Sequence, residues 1–175
     1  MGFSDPQKNI DQLNLSAGSV VADLGAGSGF YTLAAAKAVG EGGKVYAVDV
    51  QQDLLVRLQN AARAARISNV SIIHGDVEKL GGTKIKDASV DFVIAGNLVF
   101  QLDDKPGFVN EVKRILKPGG RVIDVDWSDS FGGMGPQPES VVDQVTAKEL
   151  FEKGGFTFVT GISAGDHHYG LIFRK

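Results

Sequence analysis

Short apolar runs alternate with stretches of helical period along the chain, and that alternation leaves few folds open. The runs at 20–24, 45–49, 70–74, 90–95 and 122–125 are nearly continuous in apolar residues. Such runs suit strands of a parallel sheet covered on both faces. Between them, 31–39 reads as an alanine-rich helix. A second helix carries Leu54, Leu55, Leu58, Ala61, Ala62 and Ala65 on one stripe. A third carries Phe108, Val109, Val112, Ile115 and Leu116; Asp103 and Asp104 are positioned to cap it, and Lys117-Pro118-Gly119-Gly120 to stop it. Asp5-Pro6 predicts a cap and first helical position, with Ile10 and Leu13 as the apolar side of a short opening helix. Thr146-Ala147-Lys148-Glu149 has the form of a capping box and predicts the start of the last helix, which Gly154-Gly155 ends. Two final strands, at 156–162 and 169–173, are joined by a link too short for a parallel crossover, so they are expected to be antiparallel. At 175 residues the chain is one domain. The expected fold is single-domain α/β: a mostly parallel seven-stranded sheet with an antiparallel C-terminal hairpin strand and helices on both faces.

In such sheets ligands sit at the carboxyl ends of the strands. That rule singles out Asp23, Asp49, His74, Asp76, Asn97 and Asp126. It also explains an excess of glycine, 23 residues, about twice the usual share. Gly25, Gly27 and Gly29 join the first strand to a helix, where glycine lets the backbone approach a ligand and the helix N-terminus offers N–H groups to an anion. Asp49 ends the next strand, placed to accept from the two hydroxyls of a ribose. A nicotinamide fingerprint would put a third glycine at position 30, which is Phe30. The run is G-x-G-x-G, preceded by Asp23.

Here the sequence resembles the class I, Rossmann-like S-adenosylmethionine-dependent methyltransferases. Asp23-Leu24-Gly25-Ala26-Gly27-Ser28-Gly29 is similar to their first motif, and Asp49 to their acid after the second strand. Gly75-Asp76-Val77 resembles the acid and apolar pair that bracket adenine. Val90-Asp91-Phe92-Val93-Ile94 and Arg114-Ile115-Leu116-Lys117-Pro118-Gly119-Gly120-Arg121-Val122 resemble the fourth-strand and "LKPGG" signatures. The likeness covers 19–126 and leans toward the ubiquinone/menaquinone C-methyltransferase-like group. It implies S-adenosyl-L-methionine as cofactor and S-adenosyl-L-homocysteine as product. By the same implication Gly25, Ala26, Gly27 and Gly29 hold the methionine moiety, with Asp23 near its amino group. Asp49 and Val50 lie at the ribose, Asp76 and Val77 at adenine, and Asn97 along the donor channel. Residues 1–18, with Phe3 and the opening helix, are expected to form a lid.

Methyl transfer is an in-line displacement helped by positioning, exclusion of water and, for a weak nucleophile, a general base. His167, His168 and Asp126 are the leading candidates for that base, with Trp127, Asp129 and Tyr169 nearby. Adjacent histidines rarely face one ion, so no metal site is expected. Arg57, Arg63 and Arg66 share a helix and read as a solvated face. The acceptor is expected to be a small molecule. No cap domain is inserted after the fifth strand, which keeps a protein or RNA acceptor open; a non-catalytic cofactor-binding module is the other alternative.

Lys plus Arg is 18 and Asp plus Glu is 21, for a formal charge of −3. A general nucleic-acid binder is usually basic, so none is expected here. There is no cysteine, which excludes disulfides and thiolate chemistry within this sequence. No apolar run approaches the ~20 residues of a membrane span. The opening MGFSDP lacks the regions of a secretory signal, and Pro6 breaks a myristoylation motif. A cytoplasmic protein is expected, and a homodimer is compatible with these features.

Overall fold

A computed structural model describes residues 4–175. The opening helix α1 (Pro6–Asp11) leads into β1 (Val20–Leu24), α2 (Phe30–Val39), β2 (Lys44–Asp49), α3 (Gln52–Ala64) and β3 (Val70–His74). The second half holds β4 (Val90–Gly96), α4 (Lys105–Ile115), β5 (Leu116–Trp127), α5 (Gln144–Lys153), β6 (Thr157–Ile162) and β7 (His168–Arg174). The seven strands form one sheet in the order β3-β2-β1-β4-β5-β7-β6. β1 to β5 are parallel, and β7 runs antiparallel between β5 and β6. The order reverses direction between β1 and β4, which opens a crevice above their carboxyl ends.

Each face of the sheet has its own apolar core. On one face α4 and α5 bury Phe108, Phe151 and Phe173. Phe151 stacks on Phe173 at 4.6 Å and meets Phe108 edge-on at 6.4 Å. Pairs of this kind add about 0.5–1.5 kcal/mol beyond their buried area. On the other face α1 and α2 pack Ile10, Ala35 and Val39 against Val21, Ile94 and Ile123. α1 is fastened there: Asn9 Nδ2 donates to the Tyr31 hydroxyl at 2.7 Å. The Gln12 side chain donates to the carbonyl of Ser163 and accepts from its N–H. Phe3, expected in a lid, lies outside the described residues.

Gly29 is a tight position in the turn after β1. It holds φ +89°, and a Cβ there would sit 2.5 Å from Leu58 Cγ. Gly29→Ala therefore adds both left-handed strain and overpacking, and is expected to lower stability by about 1–3 kcal/mol. The midpoint of urea unfolding measures this; an unchanged midpoint would show that the loop relaxes freely away from α3.

Three local expectations are corrected. The last helix begins at Gln144, not at Thr146, because Asp143 is the cap and accepts from the Thr146 N–H at 2.8 Å. The fifth strand begins at Leu116, not at Val122. Helix α4 ends at Ile115, before Pro118, and 116–120 joins the strand, with a left-handed kink at Gly119, because Leu116 pairs with Val90 and Gly119 and Gly120 bond Lys175. The α3 stripe is narrower than its sequence period: Leu55, Leu58 and Ala62 are buried, whereas Ala65 is exposed. At the outer edge, the β6–β7 register shifts between Phe158 and Thr160. Among the described residues no helix is long and apolar enough to cross a membrane.

Candidate functional site

The turn after β1 is a chain of left-handed glycines. Gly25, Gly27 and Gly29 all have positive φ, and the N–H groups of Gly25 and Ala26 both donate to the Val48 carbonyl. The turn is thereby pinned to the end of β2. Gly29 caps α2 without any side-chain bond, so the first-turn N–H groups of that helix are not taken by a cap.

Asp49 completes this construction. Its Oδ2 accepts from the Gly27 N–H and its Oδ1 from the Gln51 N–H, each at 2.8 Å. A carboxylate has about four acceptor positions, so two N–H bonds fix its orientation and leave others for a ligand. Gly25, Gly27, Asp49, Val50, Asp76 and Val77 line one cleft of about 370 Å³. Leu54 from α3 and Leu98 and Leu102 from the turn after β4 give it apolar walls. Volume and lining suit an organic ligand of nucleoside size. A larger groove of about 750 Å³ runs along α4 from Glu78 to Lys175, away from the glycine turn.

The carboxylates are held differently. Asp76 accepts from the Glu78 N–H and pairs with Lys79 at 2.9 Å. Its bond from Lys79 holds the carboxyl below the usual range. Asp23 lies beneath the glycine turn, 2% exposed, and accepts from the Thr32 hydroxyl at 2.5 Å. Burial pushes its carboxyl up to about 7 despite that bond. Ala26 and Gly29 are buried behind the turn. Asn97 sits just past the Leu98 wall, in a left-handed conformation at φ 53°. Its carbonyl accepts from the side chain of Gln101, which also lines the cleft.

Beyond Asn97 the ends of β5 and β7 meet. His168 is in register with Trp127, and their rings meet at a 39° tilt with centroids 4.3 Å apart. His168 Nδ1 donates to the Asp166 carbonyl at 3.1 Å, and Nε2 lies 3.1 Å from Asn97 Oδ1. Burial pushes the His168 imidazole down. His167 Nδ1 bonds the Asp129 carboxylate at 2.8 Å, and its ring stacks on Phe131. The expected closeness of both histidines to the end of the fifth strand is what the structure shows.

Asp126 and Tyr169 are corrected. Both were expected on the ligand side, and both are turned into the core on the α4 face, at 0% and 6% exposed. Strand alternation sends Trp127 and His168 one way and Asp126 and Tyr169 the other. The Asp126 oxygens accept from the N–H groups of Phe100 and Trp127, and the Tyr169 hydroxyl donates to Asp124. Among the described residues no three His, Asp or Glu side chains converge to hold a metal ion. Arg57, Arg63 and Arg66 are exposed. Sequence reasoning missed Leu98, Gln101 and Leu102; they lie on and beside a single 3-10 turn, Val99–Gln101, too short to show a period.

Residues 15–168 match a family model described as a methyltransferase domain. The sequence is 31% identical over 119 residues to demethylmenaquinone methyltransferase of Shouchella clausii, covering 68% of this chain and 49% of that protein. It is 32% identical over 116 residues to the Bacillus mycoides enzyme of the same name, covering 66% and 48%. The chain thus spans about half the length of the curated relatives it matches. A SAM dependent methyltransferase from Aquifex aeolicus superposes with TM-score 0.89 at 28% identity, over 98% of this chain and 90% of that one. The [4+2]-cyclase SpnF shares the fold at TM-score 0.81 and 16% identity, over 97% and 80% of the two chains.

Proposed function

This chain belongs to the methyltransferase domain family, and we propose that it binds S-adenosylmethionine in the glycine-turn cleft and transfers its methyl group to a small-molecule acceptor. The observation that carries this reading is the junction of Gly27 with Asp49: a left-handed glycine turn locked by the carboxylate that ends β2, at the point where the strand order reverses. The lining fits the group. Asp49 has acceptor positions left for ribose hydroxyls, and Asp76 and Val77 offer an acid and an apolar face for a base. The uncapped start of α2 suits a carboxylate, and Asp23 suits a nearby ammonium. When bound, the sulfonium supplies an activated methyl group and a good leaving group.

The chain's own part is binding, orientation and exclusion of water. Leu54, Leu98 and Leu102 line the cleft with apolar surface. Helix α1 packs against α2, the helix that the glycine turn opens, and a lid role for the opening segment is part of the same reading. Of the base candidates, His167 and His168 lie on the outer side of Asn97, where an acceptor would enter, and Asp126 lies below them. A cytoplasmic location and a homodimeric state belong to the same reading. Calorimetry tests it: S-adenosylhomocysteine is expected to bind and NADH is not. Tight NADH binding with no response to S-adenosylhomocysteine would overturn it.

Asp23 makes the binding pH-dependent. With its carboxyl near 7 in the free protein, it is about half protonated at pH 7. Beside a bound ammonium it ionises, so complex formation releases about half a proton at that pH. Affinity for S-adenosylhomocysteine is expected to rise between pH 6 and 8, and binding heats at pH 7 to differ between phosphate and Tris. Buffer-independent heat together with flat affinity would remove Asp23 from this role.

A further inference from the structure

Beyond the cleft, the ends of β4, β5 and β7 build a second arrangement around His168. The ring is fixed from three sides. The Asp166 carbonyl accepts from Nδ1, the tilted Trp127 indole lies against the ring, and Asn97 Oδ1 faces Nε2. A carbonyl can only accept, so Nδ1 carries the proton of the neutral ring and Nε2 carries the lone pair. The atom placed 3.1 Å from Nε2 is Asn97 Oδ1, and an oxygen cannot donate to a lone pair; with Nδ1 protonated the amide is therefore assigned the opposite orientation, its NH₂ donating to Nε2. Asn97 itself is held left-handed, with its N–H donating to Val125 at 2.7 Å. Asn adopts that region more readily than other side chains, and the Val125 bond fixes the direction in which its amide leaves the backbone.

Resting on the cofactor reading above, we propose that His168 Nε2 takes the proton of the methyl acceptor, and that this protein's acceptors therefore arrive with a hydrogen still on the reacting atom. The acceptor's bond to that hydrogen breaks and its proton goes to Nε2. The electron pair left behind forms the bond to the methyl carbon, whose former pair stays with the donor sulfur. Asn97 is the bridge: its side chain faces His168, while its carbonyl is held by Gln101 in the cleft wall. The acceptor displaces the amide from Nε2 and lies between His168 and the cleft. His167 is a separate unit, tied to Asp129 and stacked on Phe131.

The charged groups that bear on His168 are His167, which lowers its proton affinity, and Asp129, which raises it; burial is the largest influence and favours the neutral ring. A neutral imidazole at physiological pH is what a proton acceptor requires.

Trp127 is the only tryptophan, so the protein's tryptophan fluorescence reports the groups around this one indole, the His168 imidazole among them, which quenches more strongly when protonated. A titration is expected with a midpoint below about 6.5, the ordinary histidine value. It should vanish in His168→Gln and persist in His167→Gln. Phenol serves as a minimal O–H donor, its binding followed by NMR in the presence of S-adenosylhomocysteine. Its affinity is expected to rise with pH through the same midpoint and to be flat in His168→Gln. Trp127→Ala should weaken phenol by about 2- to 10-fold.

A fluorescence midpoint at or above the ordinary value, or pH-independent phenol affinity in the unaltered protein, would overturn the assignment. Calorimetry with S-adenosylhomocysteine separates the two readings. If His168 is misassigned, the unaltered protein still binds that ligand. If the cofactor reading fails, that binding is absent while the Trp127 titration remains.

Discussion

Replacing Asp49 by alanine is expected to weaken S-adenosylhomocysteine binding by about 1.5–3 kcal/mol, roughly 10- to 150-fold. Two losses combine. The ligand's hydroxyls lose a charged acceptor, and the glycine turn loses the carboxylate that holds the Gly27 N–H at 2.8 Å. The fold is expected to survive, because Asp49 ends its strand and its partners are turn N–H groups rather than core side chains. Calorimetry gives the affinity and circular dichroism the fold. An unchanged dissociation constant would take Asp49 out of the site.

The largest stability effect is expected at Glu111. This carboxylate is fully buried and bidentate with Arg114, at 2.7 and 2.8 Å. It also accepts from the N–H groups of Gly81 and Thr83 and from the Thr83 hydroxyl. It therefore clamps the 79–87 segment, which follows the Asp76–Val77 wall of the cleft, onto α4. Glu111→Ala leaves a guanidinium without its main partner, a change that costs about 3–5 kcal/mol when the pair is buried. The lower end applies here, because the Arg114 side chain keeps 16% exposure.

The same clamp has an acid signature. Burial pushes the Glu111 carboxyl up, but the bonds from Arg114, Thr83 and Gly81 outweigh it and hold the group at about 2. Unfolded, it titrates near 4.3. A depressed carboxyl contributes stability above its unfolded value and loses it as pH falls through the folded one. Urea midpoints of the unaltered protein should therefore drop between about pH 5 and 2, more steeply than those of Glu111→Gln. Parallel pH curves for the two proteins would refute the clamp.

The boundaries of β1 and β3 coincide with their apolar runs, because each is bounded by turn residues and pairs within the parallel sheet. Asp49 was legible for a related reason: an acid that ends such a run has no place in the core. The start of α5 was not legible. Thr146 and Glu149 imitate a capping box, while Asp143, lacking that partner pattern, makes the cap. The early entry into β5 depends on Val90 and Lys175, pairings no local pattern encodes. The inward turn of Asp126 and Tyr169 is a matter of strand parity, which the sequence leaves open because apolar and acidic residues share that strand. The Asn97–His168 contact joins residues 71 positions apart and carries no motif at all.

The register shift in β6 bears on how copies of the chain meet. β6 is an outer strand of the sheet, and an outer strand with a regular ladder is a template for adding another chain. Between Phe158 and Thr160 one extra residue, Val159, interrupts that ladder on the antiparallel side. A bulge of this kind bends the strand and breaks the even row of donors and acceptors it shows to solvent. Continuous sheet growth across this border is therefore disfavoured, and Val159, 45% exposed, stands on an irregular rim instead of a flat adhesive one.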